Sequence, residues 1–239
     1  MPGDRHPGTD GDPLGVPGTE RLLALTDGVV AIALTLLVLQ LAIPELPAGT
    51  NPDSARALLH QLTDPTFTSL LAAYVISFYV IAQFWLAHHR VYRLVGGHSE
   101  ALAWWNFAFL LTITLFPFSS ELLGRYPDNS TAVIEFAGNL LLASLSTTLV
   151  IAVARRQGLL VSGADRAMTS VIRARGALTC AVIVLSIAVA VVSPVNAKYV
   201  WLLLILTSMA SRRAGRGLST AQGADETSDG DGDGAVEAG

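Results

Sequence analysis

Apolar positions dominate this chain in six runs that contain no charged residue and no histidine. The runs cover 28–44, 65–87, 101–120, 136–154, 176–197 and 199–211. A helix needs about 20 predominantly apolar residues to cross a hydrocarbon core about 30 Å thick. Four runs meet this requirement unaided. The first meets it if Thr26 and Asp27 begin the helix at the interface. The last is short, but the methylene groups of Lys198 can extend its apolar length. The pattern predicts an all-α integral membrane protein with six transmembrane helices.

A shorter amphipathic stretch lies between the first two runs. Residues 54–62 carry apolar side chains at helical spacing, and Asp53 or Ser54 can serve as the N-cap. An amphipathic segment too short to span the bilayer lies in the membrane interface. We therefore expect a short helix on the outer surface.

Composition separates the middle of the chain from its ends. Hydrophobic residues make up 51% of the chain, charged residues only 14%, and mean hydropathy is +0.51. A soluble domain has about 25% charged residues, which excludes that class. Residues 1–19 and 216–239 are acidic and rich in small or turn-forming residues, so they cannot bury enough apolar surface to offset their ordering entropy. We expect two disordered tails around a six-helix domain at 20–215.

The basic residues predict the orientation of the helices. With a cytosolic N-terminus, twelve of the 15 Lys and Arg residues lie in cytosolic segments. Cytosolic loops of membrane proteins carry the excess of Lys and Arg. Both termini are therefore predicted to be cytosolic.

Polar residues collect where the first three helices reach the cytosolic side. They are Arg21, Thr26 and Asp27 on the first helix, His88 and His89 on the second, and Asn106 on the third. Polar groups at one membrane depth can satisfy one another. We predict that Asp27 pairs with Arg21 or with an imidazole of His88 or His89, tying the three helices together. Alternatively, these polar residues only anchor the three helices at the membrane interface. Trp85, Trp104 and Trp105 lie nearby and fit an ordinary interfacial belt of aromatic residues.

The first helix carries a motif that resembles a known family. Arg21-x-x-x-Leu25-Thr26-Asp27, followed by Gly-Val-Val-Ala-Ile-Ala-x-Thr, resembles the Arg-x-x-x-Phe-Ser-Asp signature of the transmembrane protein 175 family. Members of that family are potassium-permeable channels of endolysosomes and bacteria. Trp85-x-x-His88-His89 and the stretch from Asn106 to Phe118 are similar to it as well, and the resemblance extends over about 20–215. Leu25 replaces the aromatic residue and Thr26 the serine.

This resemblance implies a homotetramer in the bacterial plasma membrane, with the first helix of each subunit lining a central pore. The family's constriction corresponds to Ile32, Leu36 and Leu39, and Thr35 lies beside it. These three apolar positions are spaced i, i+4, i+7 and therefore share one helical face. The implied function is a leak-type channel that favours K⁺ weakly over Na⁺ through a hydrophobic constriction. The expected partners are further copies of the chain, lipid and the permeant K⁺, with no cofactor, metal or nucleic acid.

Other functions remain open at this point. The same architecture could conduct protons, or the protein could be a non-conducting structural membrane protein. A membrane enzyme or metal transporter would have to use Asp27, His88 and His89, but adjacent histidines on a helix point about 100° apart and cannot easily bind one ion. The single cysteine, Cys180, excludes an intrachain disulfide and a cysteine-based zinc site. We therefore predict no enzymatic activity.

Overall fold

The computed structural model describes the backbone of residues 17–162, 166–197 and 200, and the side chains of 18–162, 169–197 and 200. Its main helices are α1 (Pro17–Val38), α2 (Ala55–Leu62), α3 (Pro65–Tyr92), α4 (Glu100–Arg125), α5 (Ser130–Arg156) and α6 (Arg166–Val192). All of these except α2 are long and apolar enough to cross a membrane, which makes five candidate spans in the described chain. The predicted all-helical membrane architecture is confirmed. The predicted sixth span at 199–211, nearly all of the N-terminal tail and the whole C-terminal tail lie outside the described residues.

Helix α1 begins inside the predicted N-terminal tail. Its first residue is Pro17, so 17–19 of that tail are helical. Proline suits the first helical position because its missing N–H would have no partner there. The helix ends at Val38, after which the N–H groups of Leu39, Gln40 and Leu41 donate to carbonyls three residues back at 3.1–3.2 Å. The apolar run therefore continues past the end of the α-helix in a tighter turn of the 3₁₀ type.

Side-chain caps begin the next helices. Ser54 caps α2 by accepting a hydrogen bond from the Ala57 N–H at 3.3 Å, as predicted, and no residue of α2 is buried. Asp64 caps α3 by accepting from the Thr66 N–H at 2.8 Å, and this hydrogen bonding holds the pKa of the Asp64 carboxyl below its usual value. A side-chain acceptor at this position satisfies an N–H that the helix itself cannot.

The core lies around α4 and α5. Large buried side chains meet there, among them Phe109, Ile113 and Phe116 of α4 and Phe136 of α5. Helix α1 packs on α3 and α4, whereas α6 packs on α5 alone among these elements. The two helices nearest the ends of the described chain are therefore peripheral in the subunit.

Contacts between loops and the start of α1 tie one end of the bundle together. Val95 and Leu160 form an antiparallel bridge between the α3–α4 and α5–α6 loops. The Gly96 N–H donates to the Leu159 carbonyl at 2.8 Å, and the Thr19 hydroxyl donates to the Gly97 carbonyl at 3.4 Å. These segments share one end of the bundle, as the predicted orientation requires. Which side of the membrane that end faces stays a prediction.

Candidate functional site on the first membrane helix

A buried polar network joins α1, α3 and α4. The Thr26 hydroxyl lies 2.8 Å from the Leu22 carbonyl of its own helix and 3.1 Å from Oδ1 of Asn106. The same Oδ1 lies 2.9 Å from Nε2 of His88, which donates to it when Nε2 carries the proton. Thr26, His88 and Asn106 are each at most 1% exposed. The structure therefore brings together three of the predicted junction residues around one amide oxygen.

Aromatic rings fix the position of the His88 imidazole. It stacks on Phe109 of α4, with ring centroids 4.2 Å apart and an interplanar angle of 9°, and it contacts Tyr92 at 4.6 Å. These contacts leave the ring little freedom to rotate away from Asn106. His88 is therefore held as a structural hydrogen-bonding group between helices.

The predicted ion pair of Asp27 is wrong. Its Oδ1 accepts a 2.7 Å hydrogen bond from the indole N–H of Trp85 on α3, and it forms no ion pair with Arg21 in the described chain. The geometry of the helix is the reason. Arg21 and Asp27 both lie on the helix, and a separation of six residues points their side chains about 120° apart.

His89 does not pair with Asp27 either. Its ring packs on Trp85, with centroids 5.6 Å apart. Asp27, Trp85 and His89 thus form a second small cluster beside the buried network. Among the residues that the structure describes, no three His, Cys, Asp or Glu side chains converge as metal ligands.

Helix α1 has two different faces. Thr26, Val30, Ala33 and Leu37 are at most 3% exposed and pack on the bundle. The predicted constriction residues are exposed in the subunit: Ile32 is 60%, Leu36 43% and Leu39 74% exposed. Leu39 lies one residue past the end of the α-helix. At 100° per residue the centres of the two faces lie roughly 120° apart. The predicted constriction thus lies on a surface that the subunit itself does not cover.

Two further residues of the motif lie on or beside this exposed surface. Leu25, which replaces the family's aromatic residue, is 42% exposed. The Thr35 hydroxyl donates to the Ile32 carbonyl of its own helix at 2.8 Å. A hydroxyl that bonds back to its own helix was expected to use the carbonyl of Ala31, one residue earlier. The Thr35 oxygen keeps its lone pairs on the exposed side of α1.

A polar cluster between α4 and α5 was missed by the sequence interpretation. The Ser119 hydroxyl donates to Glu135 at 2.8 Å, and the Asn139 amide donates to the Thr112 carbonyl at 3.1 Å and lies 3.3 Å from the Ser119 oxygen. Polar residues inside the apolar runs, together with an acid at the edge of one run, could have indicated it. The cluster joins α4 to α5 near the buried Pro117, where the α4 backbone lacks one N–H.

Comparison with known proteins finds a family model that matches 97 of the 239 residues. Residues 21–117 match the family model described as "Endosomal/lysosomal potassium channel TMEM175". This region contains the whole polar network and both faces of α1.

Individual relatives agree with the family match. A potassium channel of Chamaesiphon minutus is 35% identical over 123 residues, which cover 50% of this chain and 58% of that protein. The human protein named "Endosomal/lysosomal proton channel TMEM175" is 28% identical over 138 residues, covering 56% of this chain and 26% of that protein. The matched region thus spans little more than half of the bacterial relative and about a quarter of the human one.

The fold also matches a solved structure. A crystal structure described as a lysosomal potassium-selective channel TMEM175 homolog from Chamaesiphon minutus aligns with a TM-score of 0.65 and 26% identity. The alignment covers 79% of this chain and 95% of that one. The similarity to this fold therefore extends well beyond the region of the family model.

Proposed function

We propose that this chain is a member of the TMEM175 family and a subunit of a leak-type, potassium-permeable channel of the bacterial plasma membrane. The observation that carries this proposal is the exposed stripe of Ile32, Leu36 and Leu39 on α1, opposite the face that packs on the bundle. Three bacterial relatives named potassium channels support the choice of ion.

The proposed assembly is a homotetramer around a central pore lined by α1. Each subunit would have six transmembrane helices, with 199–211 as the last, and both termini in the cytosol. Helix α1 is peripheral in the subunit and presents an uncovered apolar stripe, which is what a helix at a shared axis requires. Four such stripes facing one another would exclude water from a narrow constriction.

The polar network gives this pore a rigid wall. Thr26 joins α1 to Asn106 of α4, while Asp27 joins α1 to Trp85 of α3. These two contacts come from adjacent positions of α1, so they fix the rotation of the helix about its own axis. The rotation of α1 decides which residues face the pore.

Ion selectivity in such a pore would come from hydration. An ion that crosses rings of Ile32, Leu36 and Leu39 loses part of its water shell without carbonyl oxygens to replace it. K⁺ holds its shell less tightly than Na⁺, so the constriction favours K⁺ weakly. The Thr35 oxygen is the polar atom of α1 best placed to contact a partly dehydrated ion.

The decisive experiment changes the polarity of the stripe. Ile32→Asn and Leu36→Asn keep roughly the side-chain volume but wet the constriction, so K⁺ flux into liposomes should rise and discrimination against Na⁺ should fall. The control is Val38→Asn, because Val38 is 49% exposed on neither of the two faces. An amide there would enter hydrocarbon and lower the yield of folded protein without raising flux. Loss of yield in all three variants, with no gain of flux at 32 or 36, would contradict a pore at this face.

Proton conduction is the second candidate, since the human relative is named a proton channel. A pH-sensitive dye trapped in the same liposomes separates the two ions. With K⁺ and valinomycin inside to compensate the charge, a proton channel acidifies the lumen under a pH gradient, whereas a channel that conducts K⁺ alone leaves the dye unchanged. Absence of both fluxes from well-folded protein would leave a structural role.

A further inference from the structure

A cavity opens between α3, α5 and α6 at the end of the bundle where the loops meet. Its volume is about 840 Å³. The walls are largely apolar and include Phe84 and Ala87 of α3 and Ile172 of α6. Arg93, just after the end of α3, and Arg175 of α6 also line it.

The packing of α6 explains why this cavity exists. Gly176 allows α6 to approach Thr148 of α5 so closely that a Cβ at this glycine would collide with the threonine side chain. Helix α6 makes no comparable contact with α3 in the described chain. One side of α6 is therefore pulled onto α5, while the other side stands away from α3.

The charges around the cavity have one sign. Arg90, Arg93 and Arg175 line it, and no Asp or Glu is among its described lining residues. Arg90 already interacts with another residue, but Arg93 and Arg175 form no ion pair in the described part of the chain. Guanidinium groups that line one cavity without an acid favour an anion there, above all a phosphate, which can accept two hydrogen bonds at once.

We propose that this cavity binds an anionic phospholipid from the leaflet on the same side of the membrane. The headgroup phosphate lies between Arg93 and Arg175, with Arg90 adding to the positive field, and an acyl chain follows the apolar wall at Phe84 and Ala87. A soluble anion would match the arginines but would leave this wall in contact with water. Basic cavities between transmembrane helices at the cytosolic side are suited to anionic headgroups.

Native mass spectrometry of the full-length protein in detergent tests this site. Dioleoylphosphatidylglycerol (PG) and dioleoylphosphatidylcholine (PC) are added separately, and the fraction of protein that retains a lipid is measured. Arg93→Gln and Arg175→Gln should each lower PG retention about fivefold and leave PC retention unchanged. The matched control is Arg155→Gln with Arg156→Gln, because these arginines are exposed at the same end but do not line the cavity.

A second variant tests the apolar wall separately from the charges. Ala87→Phe fills the cavity without removing an arginine, so it should also displace PG. Inorganic phosphate at millimolar concentration should not displace PG, because phosphate lacks the acyl chain; complete displacement would assign the site to a soluble anion and overturn the proposal.

The proposal is also overturned if PG retention is the same in wild type, Arg175→Gln and Ala87→Phe, or if the control pair lowers it equally. A melting curve of each variant in PC alone shows whether its fold is intact. If a substitution unfolds the protein, the remaining single variants decide the outcome in the same way.

Discussion

At the scale of single residues, adjacent positions on α1 have different partners. Thr26 faces the bundle and reaches the buried Asn106, whereas Asp27 turns toward the indole of Trp85. Arg21 contributes to neither contact in the described chain, since six residues of helix separate it from Asp27. The polar junction is therefore two hydrogen-bonded contacts rather than an ion pair.

Because Asp27 accepts its hydrogen bond from Trp85, we expect Trp85 to contribute more to the stability of the protein than Arg21 does. Trp85→Phe removes the indole N–H and should destabilise the protein by about 1 kcal/mol, because a hydrogen bond to a charged group is lost at a partly solvated site. Trp104→Phe is the control, since Trp104 is 67% exposed and its ring meets the Phe107 ring edge-on. Thermal unfolding in detergent measures both. A larger loss from Arg21→Gln than from Trp85→Phe would restore the ion-pair hypothesis.

Asn106 should be the most sensitive residue of the junction. Asn106→Ala leaves the Thr26 hydroxyl and the His88 ring nitrogen buried without their shared acceptor, which should cost about 2–4 kcal/mol. Thr26→Val removes one donor and leaves the Asn106 oxygen with its contact to His88, so it should cost less, about 1 kcal/mol. The order of melting temperatures, wild type above Thr26→Val above Asn106→Ala, checks this. The reverse order would mean that Asn106 is not the centre of the network.

At the scale of elements, the peripheral helices depend on few close contacts. In the described chain helix α6 packs on α5 alone among the main helices, and at Gly176 the two helices are so close that a Cβ would collide with Thr148. Small residues at such crossings allow backbones in membranes to approach each other. The contact at Gly176 therefore sets the distance between α5 and α6.

Gly176→Ala should consequently separate the two helices and lower the melting temperature. Gly138→Ala on α5 is the matched control, because a Cβ there meets nothing within 4 Å and alanine is the better helix former. Adding Thr148→Ala to Gly176→Ala should recover part of the loss, since it removes the side chain that the new Cβ meets. Equal melting temperatures for the two single glycine variants would show that the crossing is not tight.

At the scale of the whole molecule, the start of α1 and two loops meet at one end of the bundle, and the α1–α2 connection leads away from the opposite end of α1. The predicted orientation places the end where the loops meet in the cytosol. Position 49 is a poor site for a label, because Gly49 has a φ of 84° and a side chain there would be strained. Exposed Asn51 and Gln157 lie in connections at opposite ends and are better suited.

Cysteine labelling in a Cys180→Ala background tests the orientation. A membrane-impermeant maleimide should label Asn51→Cys in intact cells and Gln157→Cys only after lysis, because positive loops stay in the cytosol. A reporter fused after Gly239 should likewise be cytosolic. Labelling of Gln157→Cys, but not Asn51→Cys, in intact cells would show the opposite orientation.

The class of protein and the depth of its polar residues in the membrane could both be read from the amino-acid sequence alone. Spans matching five of the six apolar runs are present, because a chain in lipid must satisfy its backbone groups within helices long enough to cross the bilayer. The Ser54 cap of α2 was also predictable, since capping depends on local residues alone. The motif from Arg21 to Asp27 was sufficient to indicate the family, and the depth of Asp27, His88 and Asn106 followed from their place in their runs.

Only the tertiary structure decided which side chains meet. Depth along a helix follows from the rise per residue, but the rotation of each helix about its axis depends on packing across several helices at once. Pairing Asp27 with Trp85 rather than Arg21, and joining Ser119 to Glu135, both depend on that rotation. The cavity at Arg93 and Arg175 depends on it too, because α6 leans toward α5 at Gly176, a contact distant in sequence from α3.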